Sequence, residues 1–232
     1  MDEKQYIVQL EEAQCSAVES ILAEGITFDS VVHTVENTEW FAKYMRDKTV
    51  DPATPAISCK AKCDHCCYQP VSISAPEAFR ICAFLTKKKP KLYNKIYQRI
   101  SNVEKLVKGK SSIERAKLNI PCAFLEKGKC QIYAVRPLRC QKQTSMDVQS
   151  CKLAKPKGFP FGSIIEEKAQ HLAYGACIVG FESGIRNNIT SSKHGCYELT
   201  GAVLKGLSSD DIFNRWLSGD DVFKGSEIVH SK

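Results

Sequence analysis

Four cysteines fall within nine residues in Cys59-Lys-Ala-Lys-Cys63-Asp-His-Cys66-Cys67, and four more follow at Cys122, Cys130, Cys140 and Cys151. A thiolate is a nucleophile, a redox centre and a soft metal ligand, and clustering points to metal or redox work. Gaps of two or three residues let one loop wrap several thiolates round one ion or cluster at little loop-closure cost. Neighbouring side chains diverge in most backbone conformations, so the adjacent pair Cys66-Cys67 reads as one thiol for a first site and one for a second site or a partner. The later cysteines run through Pro121-Cys-Ala-Phe-Leu125, Cys130-Gln-Ile-Tyr133 and Arg136-Pro-Leu-Arg-Cys140. Four plus four fits two four-thiolate zinc sites, or one iron–sulfur cluster with additional ligands. Four thiolates around Zn²⁺ or around a [4Fe–4S]²⁺ cluster carry a formal charge of about −2, which nearby cations stabilise. Lys60, Lys62, Arg136, Arg139 and Lys142 stand beside the proposed ligands, and Arg136-Pro137 makes a stiff turn ahead of Cys140.

The chain has twelve cysteines in all. Cys15, Cys82, Cys177 and Cys196 lie in helical-looking segments and read as small buried apolar residues. The opening Met1-Asp2-Glu3-Lys4 never reaches a signal-peptide core, so a reducing, cytoplasmic setting is expected and six disulfides are not. His65 is a candidate nitrogen ligand, weighed against an ordinary solvated side chain; His194, two residues before Cys196, is a weaker one. Trp40 and Trp216 sit in apolar helical patterns and read as core.

These residues need a scaffold, and its pattern is mostly α. Hydrophobic residues at 43% and charged residues at 25% are globular values that exclude wholesale disorder, collagen and a coiled-coil rod. The longest mostly apolar run, His171 to Phe181, is far short of the roughly 20 residues a membrane span needs. Residues 1–50 read as an N-terminal helical extension, two helices broken at Gly25. Residues 51–160, beginning with the linker Asp51-Pro-Ala-Thr-Pro55, read as an irregular, loop-rich cysteine-cluster core that binds metal. Within it Val71 and Ile73 mark a short extended piece. Ser74 and Glu77 form a capping box for a helix over Ala78 to Lys88, which Pro90 ends. Periodicity fades from Pro121 to Pro160. Residues 161–232 read as a C-terminal helical region packing on that core, with helices near Ile164 to Arg186, Leu199 to Leu207 and Asp210 to Leu217, the last capped by Ser208 or Ser209.

The net charge of +7 is uneven: Lys87 to Lys117 holds eleven basic and two acidic residues. Leu92, Ile96, Ile100, Val103 and Val107 recur there at helical spacing, so the cations read first as the wet face of an amphipathic helix. Nucleic acid is the sharper alternative for residues 87–117, but only Tyr93 and Tyr97 are interleaved for base stacking. An unidentified protein is the other class of partner.

The combination of motifs resembles the YkgJ-type cysteine-cluster family, a zinc- or iron-chelating domain with a CxxCxxCC signature. The likeness rests on Cys59 to Cys67, Cys122-Ala-Phe-Leu, Gly128-Lys-Cys130-Gln-Ile-Tyr133, Arg136-Pro137 with Cys140, and Cys151, over about residues 57 to 160. It implies that Cys59, Cys63, Cys66, Cys67, Cys122, Cys130, Cys140 and Cys151 are ligands for zinc or iron, an iron–sulfur cluster included. Three departures stand out. The first gap is three residues rather than two, proline precedes Cys122 where the family commonly has it following, and Gln141 stands where arginine often follows the cysteine.

The resemblance leaves activity open between a metal-stabilised binding module and an iron–sulfur-dependent enzyme, for example one with redox or protein-modifying, methyltransferase-like activity. Some relatives of this cysteine pattern resemble flagellin lysine N-methylases. Cys59-x3-Cys63-x2-Cys66 also has the spacing of the radical S-adenosylmethionine signature, yet His65 replaces the common aromatic and no strand–helix series accompanies it. No Gly-x-Gly occurs at any position, and no serine-hydrolase elbow, zinc-protease helix, Walker loop or EF-hand loop is present.

Overall fold

The computed structural model describes residues 2–160 and 162–228; Met1, Phe161 and residues 229–232, at the edges of the stretches expected above, lie outside the described residues. Helix occupies 60% of the chain and strand 4%, so the mostly helical expectation holds. Among the described residues no helix is long and apolar enough to cross a membrane.

Helix α1 (Glu3–Ala23) and helix α2 (Phe28–Thr49) flank Gly25, whose φ of +134° lies where a side chain would be strained. Thr27 starts α2 with a reciprocal cap to Ser30, a signal absent from the sequence expectations. The chain then passes the cysteine loop to strand β1 (Ser72–Ile73) and helix α3 (Ala75–Thr86). The capping box is formed as expected: the Glu77 carboxylate accepts from the Ser74 amide and hydroxyl, both at 2.8 Å. Pro90 begins the next helix rather than merely ending the last, because its missing N–H would go unpaired at a first-turn position anyway.

Helix α4 (Pro90–Val107) and helix α5 (Ser112–Lys117) carry the basic run. Ile96, Ile100 and Val107 are its buried face. Three of its cations are already committed: Lys95 and Arg99 pair with Glu126, and Arg115 is buried. Tyr93 and Tyr97 stack on one another with centroids 6.1 Å apart.

The stretch from 121 to 160 holds more order than its fading periodicity predicts. Strands β2 (Leu125–Glu126) and β3 (Lys129–Cys130) form a hairpin whose two turn residues, Lys127 and Gly128, both have positive φ. Such primed turns match the natural strand twist. Helix α6 (Leu138–Lys142) and helix α7 (Val148–Ala154) follow, too short for a periodic signal to show.

Helix α8 (Lys168–Asn188) packs along α1 and α2 and is the scaffold's spine. Its approach to α1 depends on glycine: a Cβ at Gly180 would stand 2.3 Å from the Glu11 carbonyl oxygen, and one at Gly184 would stand 2.7 Å from the Val18 Cβ. Strand β4 (Tyr197–Glu198) pairs antiparallel with β1, Ser72 opposite Glu198 and Ile73 opposite Tyr197. Helix α9 (Leu199–Gly206) then packs on α3 and α4. Helix α10 (Ile212–Leu217) starts at Asp211; Ser209 serves it by accepting the Asp211 amide, not as the cap itself.

The main core gathers Phe79, Trp216 and Phe223, with Phe79 and Trp216 ring centroids 5.3 Å apart. Trp216 is fully buried as expected, but Trp40 is 62% exposed, stacked on Tyr44 at 5.5 Å on the outer side of α2. Helical spacing alone did not distinguish that aromatic pair from a buried stripe. Cys82 and Cys177 are buried as expected, Cys15 is half-buried, and Cys196 is exposed. Cys196 falls in the coil ahead of β4 rather than in a helix.

Alanine substitutions in α8 should therefore differ in sign. Helix propensity favours Ala over Gly by about 1 kcal/mol, whereas overpacking costs about 1–3 kcal/mol. At Gly175 a Cβ meets only the end of Lys142 at 3.7 Å, so Gly175→Ala should stabilise. Gly180→Ala, which confronts backbone, should destabilise by about 1–2 kcal/mol in urea unfolding with an unchanged m value. Shifts of the same sign at both positions would contradict this account of the α1–α8 contact.

Candidate metal centre

The cysteine loop is shaped by local turns. Lys62 adopts φ of +69°, the Cys63 amide donates to the Lys60 carbonyl at 2.9 Å, and His65–Tyr68 forms one turn of 3₁₀ helix. The second group of cysteines is tied to it through the backbone: the Cys122 amide donates to the Cys67 carbonyl at 2.7 Å. Cys130 is fixed opposite Leu125 by the hairpin. Cys140 lies on α6, whose start is held by Glu77: its second carboxylate oxygen accepts the Leu138 amide at 2.9 Å. One buried carboxylate thus caps α3 and secures the helix that carries Cys140.

These elements enclose a cavity of about 740 Å³ lined by Cys63, Cys66, Cys67, Cys122, Cys130 and Cys140. Cys66 and Cys67 both line it. Cys59 and Cys151 are outside the lining. The Cys59 sulfur sits 3.9 Å from the Ser145 carbonyl oxygen, where Ser58 is held by hydrogen bonds to residues 145 and 146. Cys151 is buried on α7. Six of the eight cysteines thus line this cavity, while Cys59 stands outside the lining within electrostatic reach of Cys63, Cys66 and Cys151.

Among the described residues no three His, Cys, Asp or Glu side chains stand close enough together to hold one ion. The six sulfurs line a space rather than converge on a point. The donor set itself fits zinc or an iron–sulfur centre: it is all sulfur, with no carboxylate in the lining, and soft thiolates select those metals over calcium or magnesium. Bringing four donors to one point requires the loops to draw inward, which couples metal binding to folding.

Burial sets the protonation of these thiols. Cys122 is pushed up to about 12, and Cys140 well above the ordinary thiol value, because their surroundings exclude the water a thiolate needs. Cys130 is also raised by burial. Cys66 moves the other way, down to about 7, because the Cys67 thiol donates a hydrogen bond to it and Arg136 lies nearby. Cys67 is correspondingly held protonated.

Of the cations read from the sequence, Lys60, Lys62, Arg136 and Arg139 line the cavity. Lys142 is outside the lining, its chain end directed toward Gly175 of α8. Arg139 is paired with Glu182 at 3.0 Å and reaches the Cys196 sulfur at 3.8 Å. His65 does not line the cavity, and its Nδ1 is buried without a hydrogen-bond partner among the described residues. His194 is engaged elsewhere, with Nε2 2.7 Å from the Ile189 carbonyl oxygen and its ring edge-on to Trp216.

Three residues have a place at the site that the sequence reading did not assign them. Lys129 and Tyr133 line the cavity. Arg115, 3% exposed, donates to the Ile120 carbonyl at 2.9 Å and stands within electrostatic reach of Cys122 and Glu198. Its place in a basic run hid it, because every cation there reads as solvated. Gln141 is a buried hub: it donates to the Arg136 carbonyl at 3.1 Å and accepts the Tyr174 hydroxyl at 3.2 Å. It therefore braces the Arg136 turn from within.

The thiol order has a direct chemical readout. In chelator-treated protein at pH 7.5, iodoacetamide followed by peptide mass spectrometry should label Cys66 ahead of Cys122 and Cys140, since only the thiolate reacts. Labelling of Cys122 as fast as Cys66 would contradict the assigned protonation.

Residues 58–170 match the family model CxxCxxCC, described as a putative zinc- or iron-chelating domain. All eight clustered cysteines lie within the match, which runs on into the first turn of α8. No curated protein and no solved structure matches the chain.

Proposed function

We propose, from the premise that the chain carries a CxxCxxCC domain over residues 58–170, that the cysteine cavity is a thiolate metal centre which stabilises a binding module. The observation that carries this reading is that six thiols, from two segments of the chain, line one cavity. Cys63, Cys66, Cys67, Cys122, Cys130 and Cys140 would supply the ligands, with Cys59 and Cys151 beside them. A bound ion would replace the protons that burial keeps on Cys122 and Cys140, and its binding free energy would become folding free energy for a loop-rich region. We assign the chain a reducing, cytoplasmic setting, in which clustered thiols serve metals rather than disulfides.

A second reading, an iron–sulfur-dependent enzyme, draws on the size of the cavity and on the lowered Cys66 thiol. A centre of that kind would supply electron transfer when bound. The residues of this chain would hold it, screen it from water and balance its charge through Arg136 and Arg139.

Elemental analysis and visible absorption of anaerobically purified protein separate the two. The binding module predicts colourless protein with one or two equivalents of zinc and cooperative unfolding on chelation. The enzyme predicts brown protein containing iron and acid-labile sulfide. In either case Cys66→Ser, Cys122→Ser and Cys140→Ser should lose most of the metal, whereas Cys15→Ser and Cys196→Ser should retain it. Metal-free wild type that unfolds unchanged by chelator would overturn both.

A further inference from the structure

The cavity is larger than a metal centre. Four sulfurs at about 2.3 Å from a zinc ion define a sphere of about 50 Å³, against the cavity's volume of about 740 Å³. The cavity as it stands is in the range of small-molecule pockets. Its charge is one-sided. Lys60, Lys62, Lys129, Arg136 and Arg139 line it, and no Asp or Glu does. Four thiolates on a divalent ion carry only −2, so the lining retains positive charge after the metal is counted.

The five cations are not equal. Arg139 is spent on Glu182, and the three lysines are exposed, where salt screens them. Arg136 is half-buried, has no carboxylate at ion-pair distance among the described residues, and lies over the Tyr133 ring at 4.7 Å. It shares its charge with Cys66 but presents a planar fork suited to a carboxylate or a related oxyanion. Val71, Leu125 and Leu199 give the same cavity an apolar wall, and Tyr133 at its edge is 65% exposed.

We propose that the cavity binds a small organic anion, an oxyanion head on an apolar body, with Arg136 holding the head and Tyr133, Val71, Leu125 and Leu199 covering the body. This rests on the reading of the cavity as the metal site and adds the class of ligand that site receives. Arg136 acts as a binding residue, and the cationic rim draws the anion in.

The test uses metal-replete full-length protein, its metal content measured on the same sample, titrated with 1-anilinonaphthalene-8-sulfonate by fluorescence. One saturable site is expected. Sodium octanoate should displace the probe and octan-1-ol should not. Arg136→Gln should weaken binding about tenfold, the loss of one charge-assisted pair. Arg136→Lys should fall between the two, and Lys91→Glu on α4 with Lys108→Glu just beyond its end should bind as wild type. Equal displacement by octan-1-ol, wild-type affinity in Arg136→Gln, or no saturable binding would overturn the proposal. The alcohol comparison needs no variant, so a misfolded Arg136→Gln leaves the question answerable. Metal-free protein that still binds the probe through Arg136 would retire the metal reading alone; metal-loaded protein that binds none would retire this proposal alone.

Discussion

The hydrogen bond from the Cys122 amide to the Cys67 carbonyl, 2.7 Å long, is the point at which two distant stretches of the chain become one site. Without that contact the hairpin–helix segment from 121 to 142, with three cysteines, would stand apart from the four of the loop ahead of β1. The rest of the fold works to keep these two pieces in place. Glu77 couples the start of α3 to the start of α6, and Gln141 ties α6 to α8. The glycine-dependent packing of α8 on α1 gives α6 a firm floor.

Electrostatics give this arrangement its direction. A cavity of half-buried thiols with a cationic lining favours negative charge, while burial at Cys122 withholds the water that would solvate it. Protons hold Cys122 and Cys140 neutral, while Cys66 ionises more readily than either. A soft cation resolves that tension by replacing protons with a charge the sulfurs share. The same lining explains why anions other than thiolates belong in the remaining space.

Much of this was legible in the residues. Cysteine spacing, the Ser74–Glu77 cap, the break at Gly25 and the amphipathic run through Ile96 and Ile100 are local signals, and each has its counterpart in the fold. What stayed hidden was set by distant partners. Nothing near Trp40 says that its side of α2 faces out, and nothing near Arg115 says that it alone of its basic neighbours turns inward. That Cys59 and Cys151 fall outside the cavity's lining was equally hidden, since Cys59 is held beside Ser145 and Cys151 is buried on α7. Short elements such as α6 and the β2–β3 hairpin lack the length for a periodic pattern, although Lys127-Gly128 was a turn signal that could have been used.

X-ray absorption at the zinc and iron edges of anaerobically purified protein tests the central claim most directly. Sulfur scatterers dominating the first shell at about 2.3 Å are the predicted result. A metal absent from the protein, or one surrounded only by oxygen and nitrogen, would contradict it.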